Sequence, residues 1–101
     1  MTTTSPPLSS PPARITVVTA PACHFCRDAL DALEDVGRDF PLQIVELDAR
    51  TGEGSALMQR HRAAMSPLVL LEGVFLSAGR LPRNKLRKLL AARASQAAVA
   101  R

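Results

Sequence analysis

The chain contains two cysteines, set three positions apart in the stretch Thr19-Ala20-Pro21-Ala22-Cys23-His24-Phe25-Cys26. Side chains at i and i+3 share one face of a helix, so both sulfurs can meet if a helix begins at the pair. The first turn of a helix offers unpaired N–H groups and the positive end of the macrodipole, and both favour a thiolate. A thiolate, unlike a thiol, attacks disulfides. Cys23 comes first and is read as the exposed nucleophile. Cys26 is read as the resolving thiol that closes an internal disulfide and expels the product.

Other chemistries use the same spacing. A zinc site would need two more ligands, and only His24 and His61 are available. His24 lies between the cysteines with poor geometry for joining them, so no metal site built from this chain alone is expected. A cluster bridged between two chains, with Cys23 and an external thiol as ligands, is a minor alternative. Two inert buried cysteines fit poorly at a helix start beside Pro21. His24 either stabilises the Cys23 thiolate or simply faces solvent. Phe25 reads as an apolar lid or packing residue, and His61, between Arg60 and Arg62, as a surface residue.

The elements needed to position this pair can be read along the chain. Ile15 to Thr19 is short, apolar and β-branched, and Pro21 ends it: a buried strand. Cys26, Ala29, Leu30, Leu33 and Val36 recur at helical spacing with Asp28, Asp31 and Asp35 toward solvent, and Gly37 stops the helix. Leu42 to Leu47 reads as a second strand, parallel to the first across the helical crossover. Thr51 to Gly54 is turn-rich, and a short helix is expected over Ser55 to Arg62. Pro67 opens a third strand, Leu68 to Leu71. Glu72-Gly73 turns into Val74 to Leu76, forming an antiparallel hairpin. A last helix starts near Pro82 and buries Leu86, Leu89 and Leu90. The order β-α-β-α-β-β-α predicts an α/β fold with a mixed four-stranded sheet flanked by helices. Residues 1–13, rich in Thr, Ser and Pro, are expected to be a disordered tail. Residues 14–94 form the domain, and residues 95–101 are a C-terminal tail or helix extension.

This pattern resembles the thioredoxin superfamily, most closely its glutaredoxin-like branch with a C-H-x-C motif. The residues carrying the resemblance are Pro21 two before Cys23, the pair itself, Ser66-Pro67 entering the third strand, Gly73 in the hairpin, and Ala78-Gly79 before the last helix. The resemblance covers roughly Arg14 to Arg93. It implies a thioredoxin-like fold and a cis-Pro67 facing the disulfide. It also implies a substrate site around Ser66, Pro67, His24, Phe25, Ala78, Gly79 and Arg80. Two departures stand out. Val17 occupies the place of the thioredoxins' first-strand carboxylate, and Ala22 that of their Trp. Glutaredoxins grip glutathione with a Lys before the Pro and an Asp after the Gly pair; those positions are Ala20 and Arg80. No organic cofactor is therefore expected, with glutathione kept as an open alternative.

Composition sets the outer bounds. The chain has 101 residues, room for one domain. With 47% apolar and 22% charged residues, it has ordinary globular composition. Trp and Tyr are absent, which argues against a stacking surface for single-stranded nucleic acid. The formal charge is +4, and no acidic residue follows Glu72 while seven cations lie from Arg80 onward. Such a basic end can attract nucleic acid, an anionic membrane or an acidic protein, but it reads first as a solvated helix face. No apolar run reaches the ~20 residues of a membrane span, and no secretory signal is evident at the N-terminus. A cytoplasmic monomer is expected, with a disulfide-containing protein or small molecule as substrate and a thiol or a reductase as electron donor. The expected activity is thiol–disulfide oxidoreduction. The alternative is a non-enzymatic redox-sensitive adaptor whose Cys pair switches partner binding.

Overall fold

The computed structural model describes residues 11–99. Seven elements follow in the order β1 (Ala13–Thr19), α1 (His24–Gly37), β2 (Leu42–Asp48), α2 (Gly52–Arg60), β3 (Leu68–Leu71), β4 (Val74–Ala78) and α3 (Arg83–Val99). The sheet order is β2-β1-β3-β4. β1 runs parallel to β2 and antiparallel to β3, and β3 runs antiparallel to β4. The mixed α/β architecture expected from the element order is the one observed.

Alternation along β1 decides which helix covers which face. Ala13, Ile15 and Val17 point into a cluster with Ala29, Ala32, Leu33 and Val36 of α1 and Leu86 and Leu90 of α3. Val18 points the other way, joining Leu68 and Leu70 under Leu57 and Met58 of α2. One face of the sheet is thus sealed by two long helices and the other by a single short one. Glu72 and Gly73 both have positive φ, the backbone of a two-residue hairpin turn that Gly73 adopts without steric cost.

Several boundaries and burials differ from the sequence reading. β1 begins two residues earlier, because Ala13 is buried and its N–H donates to the Pro41 carbonyl. Most of the tail assigned to residues 1–13 lies outside the described residues. The stretch Thr51 to Gly54 is not a free turn. Thr51 caps α2, its Oγ1 accepting the Gly54 N–H at 3.1 Å, so the helix starts at Gly52. Asp28 and Asp35 keep side chains that are 46% and 45% exposed, yet both are tied to α3. Arg83 pairs with Asp28 at 3.6 Å, and Arg87 with Asp35 at 3.3 Å and Asp39 at 2.7 Å. Part of the basic end is therefore a latch between α3 and α1, with each exposed pair contributing about 1 kcal/mol at most. Leu89 is 40% exposed while Leu86 and Leu90 are buried, since 89 lies about 60° from 86 and about 100° from 90 around the helix, at the edge of the buried stripe. His61 is half-buried and stacks on Phe75 with ring centroids 6.4 Å apart.

Gly54 is required by close approach. A Cβ built there would fall on the backbone carbonyl of Asp48. That carbonyl also accepts from Thr51 Oγ1 at 2.7 Å and from the Thr51 N–H, so it is held in place. Nearby, hydrogen bonds from the Arg50 guanidinium and amide hold the Asp48 carboxyl down at about 2 and tighten the same turn. Gly54→Ala should push α2 off the sheet and cost about 1–3 kcal/mol. A thermal melt measures this, and an unchanged midpoint would show that α2 tilts freely.

Candidate active site

The site forms where β1 hands over to α1. Ala22 has φ of 51°, in the left-handed region that an alanine adopts at a cost of roughly 1 kcal/mol. This bend ends the strand and aims Cys23 at the helix start. Cys23 is the N-cap of α1: its backbone is extended, and its Sγ accepts the Cys26 N–H at 3.1 Å. The two cysteines form a disulfide with Cα atoms 5.2 Å apart. Cys23 is half-exposed, whereas Cys26 is only 4% exposed and packs within the buried face of α1. The helix therefore presents one sulfur to solvent and shields the other.

The loop before β3 closes the opposite side. The Ser66–Pro67 bond is cis. Cys23 Sγ lies 3.8 Å from the Ser66 carbonyl oxygen. Pro67 is fully buried, and its carbonyl accepts the Gly79 N–H at 3.0 Å, which ties the β4–α3 turn to the same place. Gly79 has φ of 96°, and Met65 Sδ lies 3.3 Å from where a side chain would begin. Ala78 pairs with Leu68 in the sheet. Arg80 is exposed and makes no ion pair among the described residues. Of the residues named from sequence, Cys23, Cys26, Ser66, Pro67 and Gly79 are joined by direct contacts. His24 and Phe25 open α1 as exposed residues beside the sulfur.

Two openings reach the sulfurs. A notch of about 290 Å³ is lined by Ala22, Cys23, His24 and Arg27. A cleft of about 300 Å³ includes Cys23, Cys26, Arg27, Asp31 and Glu46 in its lining. Arg27, Asp31 and Glu46 were not singled out from sequence. Glu46 carries no local signal in the sequence; the parallel register sets it opposite Val17 and so brings it to the site. A larger cavity of about 490 Å³ opens on the α2 face, lined by Arg14, Glu53, His61 and Glu72 among others. Neither cysteine lines it. No group of three or more His, Cys, Asp or Glu placed to hold a metal occurs among the described residues.

Superposition on solved structures decides the fold. The chain superposes with a TM-score of 0.65 on an uncharacterised thioredoxin-like protein from Clostridium perfringens, at 14% identity over 80% of this chain and 70% of that one. The fold is thioredoxin-like. A second match, a protein of unknown function from Staphylococcus aureus, has a TM-score of 0.63 at 11% identity, covering 84% of this chain and 94% of that one. No protein-family model and no curated protein matches the sequence. No helix among the described residues of this thioredoxin-like chain is long and apolar enough to cross a membrane.

Proposed function

We propose that this chain is a glutaredoxin-like thiol–disulfide oxidoreductase that reduces protein or small-molecule disulfides. The observation carrying the reading is the asymmetry of the pair. The sulfur of Cys23 is half-exposed at a helix N-cap, while that of Cys26 is buried beneath it. In the forward reaction the Cys23 thiolate attacks a disulfide RS–SR′, forming Cys23–S–S–R and releasing R′S⁻. Cys26 loses its proton and attacks the Cys23 sulfur, and RS⁻ departs to take up a proton. The dithiol has given two electrons to the substrate and become the Cys23–Cys26 disulfide. The half-buried backbone at Ser66, whose carbonyl lies 3.8 Å from Cys23 Sγ, is the proposed place for an extended substrate segment to pair in strand fashion. Phe25, Ala78, Gly79 and Arg80 form its surroundings, and the cytoplasm is the proposed setting.

Turnover of insulin disulfides with a regenerating thiol tests this reading. Catalysis above the uncatalysed thiol rate supports it. No turnover, combined with partner binding that depends on the state of the pair, would favour the adaptor instead.

The electron donor is proposed to be a protein reductase rather than glutathione. Ala20 and Arg80 stand where glutathione-binding relatives use a Lys and an Asp. Each lost charge-assisted contact is worth roughly 1.5–3 kcal/mol, so losing two weakens binding by two orders of magnitude or more. Reduction of glutathionylated peptide should accordingly be slow. Saturation at micromolar glutathione would overturn this part of the proposal.

A further inference from the structure

The two openings at the redox pair differ in charge. The notch that reaches only Cys23 carries His24 and Arg27 and no carboxylate. The cleft reaches both Cys23 and Cys26 and is the one of the two that opens onto Cys26; it carries two carboxylates, Asp31 and Glu46, against the single guanidinium of Arg27. Cys23 alone also faces the cationic notch and the helix N-terminus. β3 and β4 contribute no charged side chain to it.

Glu46 is the better placed carboxylate. Leu42, four residues earlier on β2, packs against the cluster that holds α1, and strand periodicity sends Glu46 to that same face. Its register partner Val17 is buried in that cluster. The Thr19 hydroxyl donates to Glu46 Oε2 at 3.1 Å and fixes the carboxylate at the end of β1 from which the cysteine loop departs. Asp31, on the outer turn of α1, makes no ion pair among the described residues.

We propose that Glu46 polarises the redox pair, holding Cys26 as the neutral thiol and leaving the thiolate to Cys23. The inference rests on the oxidoreductase reading above and assigns a positioning residue to it. A fixed negative charge disfavours a second one nearby, so Cys26 ionises later than it would in a neutral cleft. Attack by the wrong sulfur is suppressed, and the mixed disulfide lasts longer before it is resolved. The resolving step is Cys23–S–S–R plus Cys26–SH giving Cys23–S–S–Cys26 plus RSH. The Cys26 proton ends on the departing sulfur, and Glu46 is not consumed.

The test is the pH profile of Cys26 alkylation by iodoacetamide in a Cys23→Ser background, with and without Glu46→Gln. Glu46→Gln should lower the pH of half-maximal alkylation by about half a unit, a roughly threefold faster reaction near neutrality. In the protein with both cysteines, it should speed release from a preformed mixed disulfide by a similar factor. Both effects should shrink in 1 M salt, where screening is nearly complete. Glu46→Asp should behave as wild type, and Asp31→Asn should shift the profile less than Glu46→Gln. An unshifted profile, or slower release in Glu46→Gln, would overturn the proposal; slower release would mean that the carboxylate instead takes the Cys26 proton. Alkylation is read without any substrate, so a flat Glu46→Gln profile in a protein that reduces insulin sinks this inference alone. Absence of insulin reduction in the wild type sinks the reading beneath it.

Discussion

If the proposed reaction holds, Cys23→Ser should remove disulfide exchange, lowering the rate by about a thousandfold or more, because it deletes the proposed attacking sulfur. Cys26→Ser should give a different result: attack should proceed and the reaction stop at a mixed disulfide between Cys23 and the substrate. The distinction follows from exposure. Cys23 caps the helix at the surface of two openings, while Cys26 is 4% exposed and is reached through only one of them. Intact-protein mass spectrometry of Cys26→Ser after incubation with a disulfide peptide should find the covalent adduct. Alkylation of the reduced protein near neutral pH should label Cys23 first. Faster labelling of Cys26 would reverse the two roles.

Leu86→Ala should cost about 2–5 kcal/mol, and Leu89→Ala no more than about 0.5 kcal/mol. Leu86 is fully buried against the sheet, and Leu90 joins it there one turn later. Leu89 lies at the edge of that buried stripe, about 60° around the helix from Leu86, at 40% exposure. In a domain of this size each kcal/mol lost lowers the melting midpoint by roughly 4–8 °C, so the two variants separate clearly in a thermal melt or a urea titration. Equal losses would mean that α3 sits on the sheet in a different rotation.

That pair of leucines marks where reading the sequence runs out. Periodicity announced a helix after Pro82, but three leucines in five positions satisfy more than one helical face. Only the packed sheet selects among them. The strands were legible because short apolar runs bounded by turn residues leave few alternatives: Ile15 to Thr19 is β-branched throughout and followed by Pro21, and Leu68 to Leu71 lies between Pro67 and Gly73. The start of α2 was hidden because Thr51-Gly52-Glu53-Gly54 has the composition of a turn. The cap by Thr51 and the tight seat of Gly54 on Asp48 override that composition. Within the site, the cysteines, the Ser66–Pro67 step and Gly79 carry local signatures. Glu46 and Arg27 have none, since a carboxylate on an edge strand acquires meaning only when the register sets it opposite Val17.

The hydrogen bond from the Cys26 N–H to Cys23 Sγ has a thermodynamic consequence. The same sulfur is both the cap of α1 and the proposed reacting atom. Whatever the folded helix does to favour the negative charge on that sulfur, the charge returns to the folded helix in equal measure. Acidity at Cys23 and stability of the domain are therefore two readings of one free energy. Any bond made to the sulfur from outside, whether by substrate or alkylating agent, draws on the first turn of α1. The reduced chain with a thiolate at its cap and the chain caught in a mixed disulfide should differ in how firmly this helix is anchored, with no residue having moved far.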